Sequence, residues 1–250
     1  LVWRNELGGT TFRLTDECRM RYIKWQPDIG LDPARRADVD LIAEAEKLRW
    51  AGRFVPVPGV LDCGSDSQGA WLITEAIDAT PAFADRWRAN PEAAVRAIAT
   101  GLRRLHDALP VAGCPYGGSW CGPVKPGGQG QLVVCHGDPC VPNTLLDHDG
   151  AFAAHVDLAR LGVADRWSDL AIATYSISWD VNFGRSYDDL FFEVEDGEKL
   201  ARIIPNARLE IIDGARTFSM LDRPDRRGPV IVRAGGCHHP RPSRRSRDDH

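Results

Sequence analysis

Asp138, Asn143 and Asp157 are a carboxylate, an amide and a second carboxylate carried by one short stretch of chain. It runs Val133-Val134-Cys135-His136-Gly137-Asp138-Pro139-Cys140-Val141-Pro142-Asn143 and then reaches His155-Val156-Asp157. Four residues separate Asp138 from Asn143. Oxygen donors of this kind suit phosphoryl transfer, in which there is little covalent chemistry for a protein to do. The protein must neutralise charge on the moving phosphoryl group, hold the attacking hydroxyl in line and relieve it of its proton. Magnesium takes oxygen ligands, a few from protein and the rest from phosphates and water. Asn143 and Asp157 read as the magnesium donors, and Asp138 as the base. A surface hairpin would carry the same residue types for local reasons, because Asp and Asn are common in turns.

The three can act together only if the chain brings them together. Residues 144–147 and 151–156 are short apolar runs joined through His148-Asp149-Gly150, and an Asp-Gly pair between such runs signals a β-hairpin. Antiparallel pairing would bring Asn143 and Asp157 out at the same end, with Asp138 on the loop before it. Upstream, Gly8-Gly9 sits in a strand–turn–strand opening, and Arg21-Tyr22-Ile23-Lys24-Trp25 reads as a strand bearing one lysine. Leu41, Ala45 and Leu48, with Ile42 beside them, predict a helix over 38–51 that carries Glu44 and Glu46. Val60-Leu61-Asp62 and Trp71-Leu72-Ile73-Thr74-Glu75 read as paired strands. Asn90-Pro91-Glu92 opens a second helix with Asn90 as its cap, and Val95, Ile98, Leu102, Leu105 and Leu109 form its buried stripe. A third helix is expected over 165–178, with Trp167, Leu170, Ala171 and Tyr175 along one side.

These motifs together resemble a known family. His136-Gly137-Asp138, Pro142-Asn143, Val156-Asp157, Arg160-Leu161-Gly162 and Ala164-Asp165-Arg166 with Asp169-Leu170-Ala171 closely resemble the active-site region of aminoglycoside phosphotransferases. The D-x-x-x-x-N spacing is that of a kinase catalytic loop, and the likeness is greatest to the 3'-phosphotransferase branch. It implies an α+β, two-lobed, protein-kinase-like fold: a nucleotide-binding lobe over 1–77 and a mostly helical catalytic lobe over 78–193; an atypical tail follows over 194–225, and Arg/Pro/Gly enrichment predicts disorder over 226–250. It implies ATP and Mg2+, with Asp138 as base and Asn143 and Asp157 on the metal. Lys24 would contact the α- and β-phosphates, Glu44 would hold Lys24, and Gly8 and Gly9 would cover the phosphates. Main-chain groups near Glu75 and Ile77 would meet adenine. Arg160 matches a substrate-side arginine, and Asp180, with Asp188, Asp189 and Glu193, could face a cationic acceptor. Asp169 would brace the catalytic loop and His106 would pack or cap. The acceptor implied is a polyhydroxylated, cationic small molecule such as an aminoglycoside. Two alternatives stay open: a nucleotide-binding relic without acceptor activity, and a small-molecule kinase for a sugar or an amino alcohol.

The chain departs from the family pattern in three places. Residues 117–130 are a Gly/Pro-rich loop where a helical insertion is usual, and Ala159 stands where glycine is frequent. Beyond about Glu193 the text resembles the last helix, strand and loop of an α/β-hydrolase, but Thr217 occupies the place of its histidine and no G-x-S-x-G elbow occurs. Composition is that of an ordinary soluble globular chain: 250 residues, 43% apolar and 26% charged, with a formal net charge of −4. Nothing in it draws the protein to nucleic acid or to a membrane, and the cytoplasm is the expected location; the oligomeric state is left open. Seven cysteines, an odd number, argue against a disulfide framework. Cys135, Cys140, His136 and His148 lack the paired spacing of a zinc site.

Overall fold

The computed structural model describes residues 1–16, 19–117 and 131–184, together with 208–209 and 231–232. The chain divides into two units, Leu1–Tyr187 and Asp188–His250. The first opens with an antiparallel sheet of β1 (Trp3–Arg4), β2 (Thr10–Asp16), β3 (Arg19–Pro27), β4 (Val60–Ser65) and β5 (Gly69–Glu75), in the spatial order β1-β2-β3-β5-β4. Lys24 lies opposite Thr11 on β2 and Leu72 on β5. Directly paired residues share a face, so Lys24 and the buried Leu72 sit on the same side of the sheet, and helix α2 (Leu41–Ala51) packs against this part of it.

The helix predicted over 38–51 is α2, which starts three residues later than expected, behind a separate short helix. Helix α1 (Pro33–Asp38) stops first, and α2 begins after Asp40, whose side chain accepts from the N–H groups of Ile42 and Ala43, both at 3.0 Å. A capping aspartate satisfies donors that a continuing helix would have bonded itself. Leu41, Ala45 and Leu48 are buried as their spacing implies. Their apolar cluster continues through Leu72 into Leu105, Val134, Leu158 and Leu161, so one core joins the sheet to the second half of the unit.

That second half contains β6 (Thr80–Pro81), α3 (Asp85–Arg88), α4 (Pro91–Ala108), β7 (Leu132–Cys135), β8 (Thr144–Leu146), β9 (Phe152–His155), β10 (Gly162–Asp165) and α5 (Trp167–Ser178). The β8–β9 hairpin forms as expected, with Thr144 opposite His155, and β6 extends it. Asp147 closes the turn, its carboxylate accepting from the N–H groups of Asp149 and Ala151. Strand β10, which pairs antiparallel with β7, is not marked by any sequence pattern. Helix α4 buries its expected stripe, but Asn90 makes no side-chain capping bond; Pro91, with no N–H to satisfy, removes part of the need. Helix α5 forms close to the expected range, and the side that carries Trp167, Leu170, Ala171 and Tyr175 is not its buried face. Trp167 and Tyr175 are exposed, while Ser168, Asp169, Ala173, Thr174, Ser176 and Ile177 are buried. The buried face is partly polar because Asp169 and Ser176 accept from main-chain N–H groups of the loop between β7 and β8. The four described cysteines, Cys63, Cys114, Cys135 and Cys140, are free thiols, and among the described residues no helix is long and apolar enough to cross a membrane. In the second unit, Arg208–Leu209 pairs in parallel with Ile231–Val232, the latter within the stretch expected to be disordered. The other expectations for that tail fall outside the described residues.

Helix α4 approaches β9 closely at Gly101. A Cβ there would run into the ring of the buried Phe152 and come within 3.1 Å of His155 Nε2. Gly101→Ala therefore sets a helix-propensity gain of about 1 kcal/mol against an overpacking cost of about 1–3 kcal/mol. A net fall in melting temperature is expected, measured by thermal unfolding; a rise would mean that Phe152 moves aside freely. His155 itself is buried, stands 5.1 Å from the His136 ring, and among the described residues makes no hydrogen bond of ordinary geometry with either ring nitrogen. Burial, aided by His136, pushes its pKa down from 6.5 to about 3. Between those values the unfolded chain takes up a proton that the folded chain refuses. This contribution to stability is complete above the unfolded value and lost as pH falls towards the folded one. About 2 kcal/mol should disappear between pH 6.5 and pH 5. Thermal unfolding across that range should show the decline, and His155→Leu should flatten it.

Candidate active site

Lys24 is the centre of the site. Its Nζ lies 2.7 Å from Glu44 Oε1 and 3.1 Å from Asp157 Oδ1. Three elements meet at this ammonium: β3, α2 and the turn that follows β9. Glu44 is only 2% exposed, so it is not one of the solvated glutamates that usually occupy a helix surface. Burial alone would lower the Lys24 pKa, yet the carboxylates of Asp157 and Glu44 outweigh it and raise the pKa above its ordinary value. Lys24 in turn holds Asp157 below the usual carboxylate range, against the effect of burial. Glu44 is raised by burial, with Lys24 pulling the other way.

Asp157 has φ +63°, a left-handed conformation that few residues other than glycine, asparagine and aspartate adopt readily. The hairpin delivers it there: Val156 N–H donates to Asn143 O at 3.0 Å, so Asn143 and Asp157 leave the ribbon at one end. Asn143 is buried, and its Nδ2 donates to the Asp138 carbonyl at 2.9 Å. With the amide nitrogen engaged in this way, the oxygen is the atom left to offer a cation. Asn143 and Asp157 thus make an oxygen donor set that fits a hard ion such as magnesium.

The loop bearing Asp138 is held from beneath by α5. Asp169 accepts from His136 N–H at 2.7 Å and Gly137 N–H at 2.9 Å, and its Oδ2 lies 2.8 Å from His106 Nε2. Burial alone would raise the Asp169 pKa. The His106 contact, the two histidines and the Gly137 N–H outweigh burial and keep the group ionised. Asp169 therefore braces the loop and His106 is a packed partner, as the resemblance implied. His136 links the loop to the hairpin. Asp138 N–H donates to its Nδ1 at 3.3 Å, and its Nε2 lies 3.1 Å from Val156 O, which selects the tautomer protonated at Nε2. Burial holds this ring neutral against the pull of Asp169, Asp138 and Asp157. Gly137, at φ +87°, passes so close to the Arg160 backbone that a Cβ would overlap it. His106, Cys135 and Asp169 offer a compact set of metal-type atoms, but Asp169 already serves three partners there.

A cleft of about 490 Å3 opens beside Lys24. Gly9, Thr10, Thr11, Glu44, Asp138, Asp157, Ala159 and Arg160 all line it, so the phosphate-gripping candidate, the base candidate and the metal candidate Asp157 share one space; Asn143 is buried behind the Asp138 main chain and does not line it. Gly8 lies in the adjoining turn, where Asn5 Oδ1 accepts from the N–H groups of Leu7 and Gly9. Arg160, expected on the substrate side, reaches Asp38 of α1 at 3.3 Å across the same cleft. Glu75 and Ile77 do not line it, and two of their main-chain groups are already engaged. Glu75 N–H donates to Gly59 O, and Ile77 O accepts from Ala79 N–H, both at 2.8 Å. Asp180 is exposed beyond the end of α5 and is not brought to this cleft; Asp188, Asp189 and Glu193 fall outside the described residues. Cleft residues that the sequence did not mark include Thr10, Thr11 and Asp38. Their only signal is register opposite Lys24 or proximity in space.

Comparison with known proteins gives this geometry its context. The model of the phosphotransferase enzyme family matches residues 118–203. Over 226 residues the chain is 34% identical to an aminoglycoside 3'-phosphotransferase of Streptomyces fradiae, covering 70% of this chain and 83% of that protein. Among solved structures, an aminoglycoside-3'-phosphotransferase of type VIII superposes with a TM-score of 0.64 at 27% identity, covering 80% of this chain and 84% of that one. Aminoglycoside phosphotransferase APH(3'')-Id from Streptomyces rimosus, solved in complex with ADP and streptomycin, gives 0.51 at 27% identity over 73% and 79%. With a kinase-like fold, this order of motifs and relatives matched over most of their length, the chain belongs to the aminoglycoside phosphotransferase family.

Proposed function

We propose that the protein transfers the γ-phosphoryl group of ATP to a hydroxyl of an aminoglycoside, with magnesium bound at the site. The observation that carries this reading is the shared cleft in which Lys24, held by Glu44 and Asp157, faces the same space as Asp138. The named substrates of the relatives supply the acceptor class: a 3'-phosphotransferase of aminoglycosides, and a homologue solved with ADP and streptomycin.

Each side chain has a defined task in this reading. Lys24 holds non-transferred phosphate oxygens, where a fixed cation is complementary to phosphate charge. Asn143 and Asp157 are the protein ligands of magnesium, which supplies charge neutralisation on the phosphate oxygens when bound. Asp138 accepts the proton of the acceptor hydroxyl as its oxygen attacks the γ-phosphorus. The bond from that phosphorus to the bridging oxygen breaks, and ADP departs with the bonding electrons. The Asn143 and His136 hydrogen bonds keep the Asp138 main chain in place while its carboxylate remains in the cleft. Arg160, the substrate-side candidate, lines the same cleft and adds a second cation there, paired with Asp38.

The test is coupled-assay ATP consumption with aminoglycosides as acceptors, with sugars and amino alcohols in parallel. Transfer should require magnesium and cease on chelation. Asp138→Ala should lower kcat by roughly two to four orders of magnitude, the scale of general-base catalysis, with ATP affinity largely kept. An unchanged rate in that variant would remove Asp138 from the reaction. Consumption with sugars or amino alcohols alone would replace the aminoglycoside assignment.

A further inference from the structure

The Asp157 turn is held by more than Lys24. Lys47, on α2, donates a hydrogen bond from Nζ to the carbonyl of Ala159, two residues past Asp157. The same ammonium stands 5.6 Å from the centre of the Tyr116 ring. Lys47 is half-buried, and among the described residues no carboxylate lies within ion-pair distance of it. A partly desolvated ammonium directed at a main-chain carbonyl, rather than at an acid, is an unusual use of a lysine. Glu44 and Lys47 are three residues apart, which places them on one face of the helix. Glu44 grips Lys24, and Lys47 grips the turn to which Lys24 also points.

We propose that Lys47 is a positioning residue: it ties α2 to the Asp157–Ala159 turn, so one helix face sets both the phosphate-gripping lysine and the metal-binding carboxylate. The proposal rests on the phosphotransfer reading above and adds a residue to it. Two features make such a tie necessary. Asp157 sits in the left-handed region, which aspartate tolerates but which surrounding contacts must select over its other conformations. The Lys24–Asp157 contact cannot supply that restraint during turnover, because in this reading Lys24 turns to phosphate and Asp157 to the metal. The bond from Lys47 to Ala159 does not use either group and remains through the cycle. Leu158, buried between them, and the Leu161 N–H bonded to Leu158 O at 3.0 Å, give the turn a fixed body on which Lys47 can act.

The experiment uses the full chain and measures binding of AMP-PNP by isothermal titration, with and without magnesium, for wild type, Lys47→Met and Lys47→Arg. Wild type should bind more tightly with magnesium. Lys47→Met should lose roughly tenfold or more of that magnesium-dependent gain, the usual scale for partners that orient a metal ligand. Its magnesium-free affinity, which depends on Lys24, should stay within about twofold. Lys47→Arg, which still donates to a carbonyl, should recover most of the gain. If Lys47→Met does not fold, Lys47→Gln, whose amide falls short of Ala159, must show the same selective loss. Retention of the gain in Lys47→Met, or equal loss with and without magnesium, overturns the proposal while wild-type behaviour leaves the functional reading intact. Wild type that binds no better with magnesium than without it overturns that reading, and the role of Lys47 with it.

Discussion

A lysine ammonium partly withdrawn from water needs counter-charges, and Lys24 finds them in Glu44 and Asp157. Moving such a cation out of water is costly unless it is paired and hydrogen-bonded. The two carboxylates that meet this need come from elements distant in sequence, a helix between β3 and β4 and the turn after β9. Satisfying one side chain therefore fixes the positions of three parts of the chain. The apolar cluster from Leu41 and Leu48 to Leu158 and Leu161 runs alongside and makes the same connection without direction. Packing brings the parts together, and the charges set their register.

A second polar constraint lies under the catalytic loop. The N–H groups of His136 and Gly137 point inward, where an unmet donor would cost about 1–3 kcal/mol. Asp169 meets both and is itself met by His106. Hence α5 buries serine, aspartate and threonine and leaves Trp167 and Tyr175 to solvent. The loop is rigid because a buried acid from another element binds its main chain, and Asp138 inherits that rigidity. This arrangement differs from an acid-lined turn on a surface, whose hydrogen bonds would all be local.

The hairpin was legible because its signals are short-range. An Asp-Gly turn, two apolar runs and alternation decide which residues leave at the same end, and Asn143 and Asp157 do so through a direct main-chain bond. The apolar stripes of α2 and α4 were legible for the same reason, since helix period alone selects the face. The start of α2 was placed three residues early, because which aspartate caps a helix is decided by the N–H groups it meets, and Asp40 meets those of Ile42 and Ala43. Strand β10 was missed because Gly162–Asp165 has little strand character of its own and exists by pairing with β7. Which face of α5 is buried was not legible, because the need met there is for hydrogen-bond acceptors such as Asp169 and Ser176 rather than for apolar area. Asp180 drew notice as a carboxylate but is not brought to the cleft.

By itself, the sequence determined the chemistry available to this protein: which side chains carry oxygen or charge, and which of them local turns and helices present. Spacing and hairpin geometry suffice for that, because they act over a few residues. Only the tertiary structure decided which of those groups share one space. Glu44 rather than Glu46 is buried against Lys24, Arg160 turns to Asp38, and Lys47 reaches Ala159. Such choices depend on helix rotation and strand register across the core, where a shift of one residue moves a side chain to the opposite face.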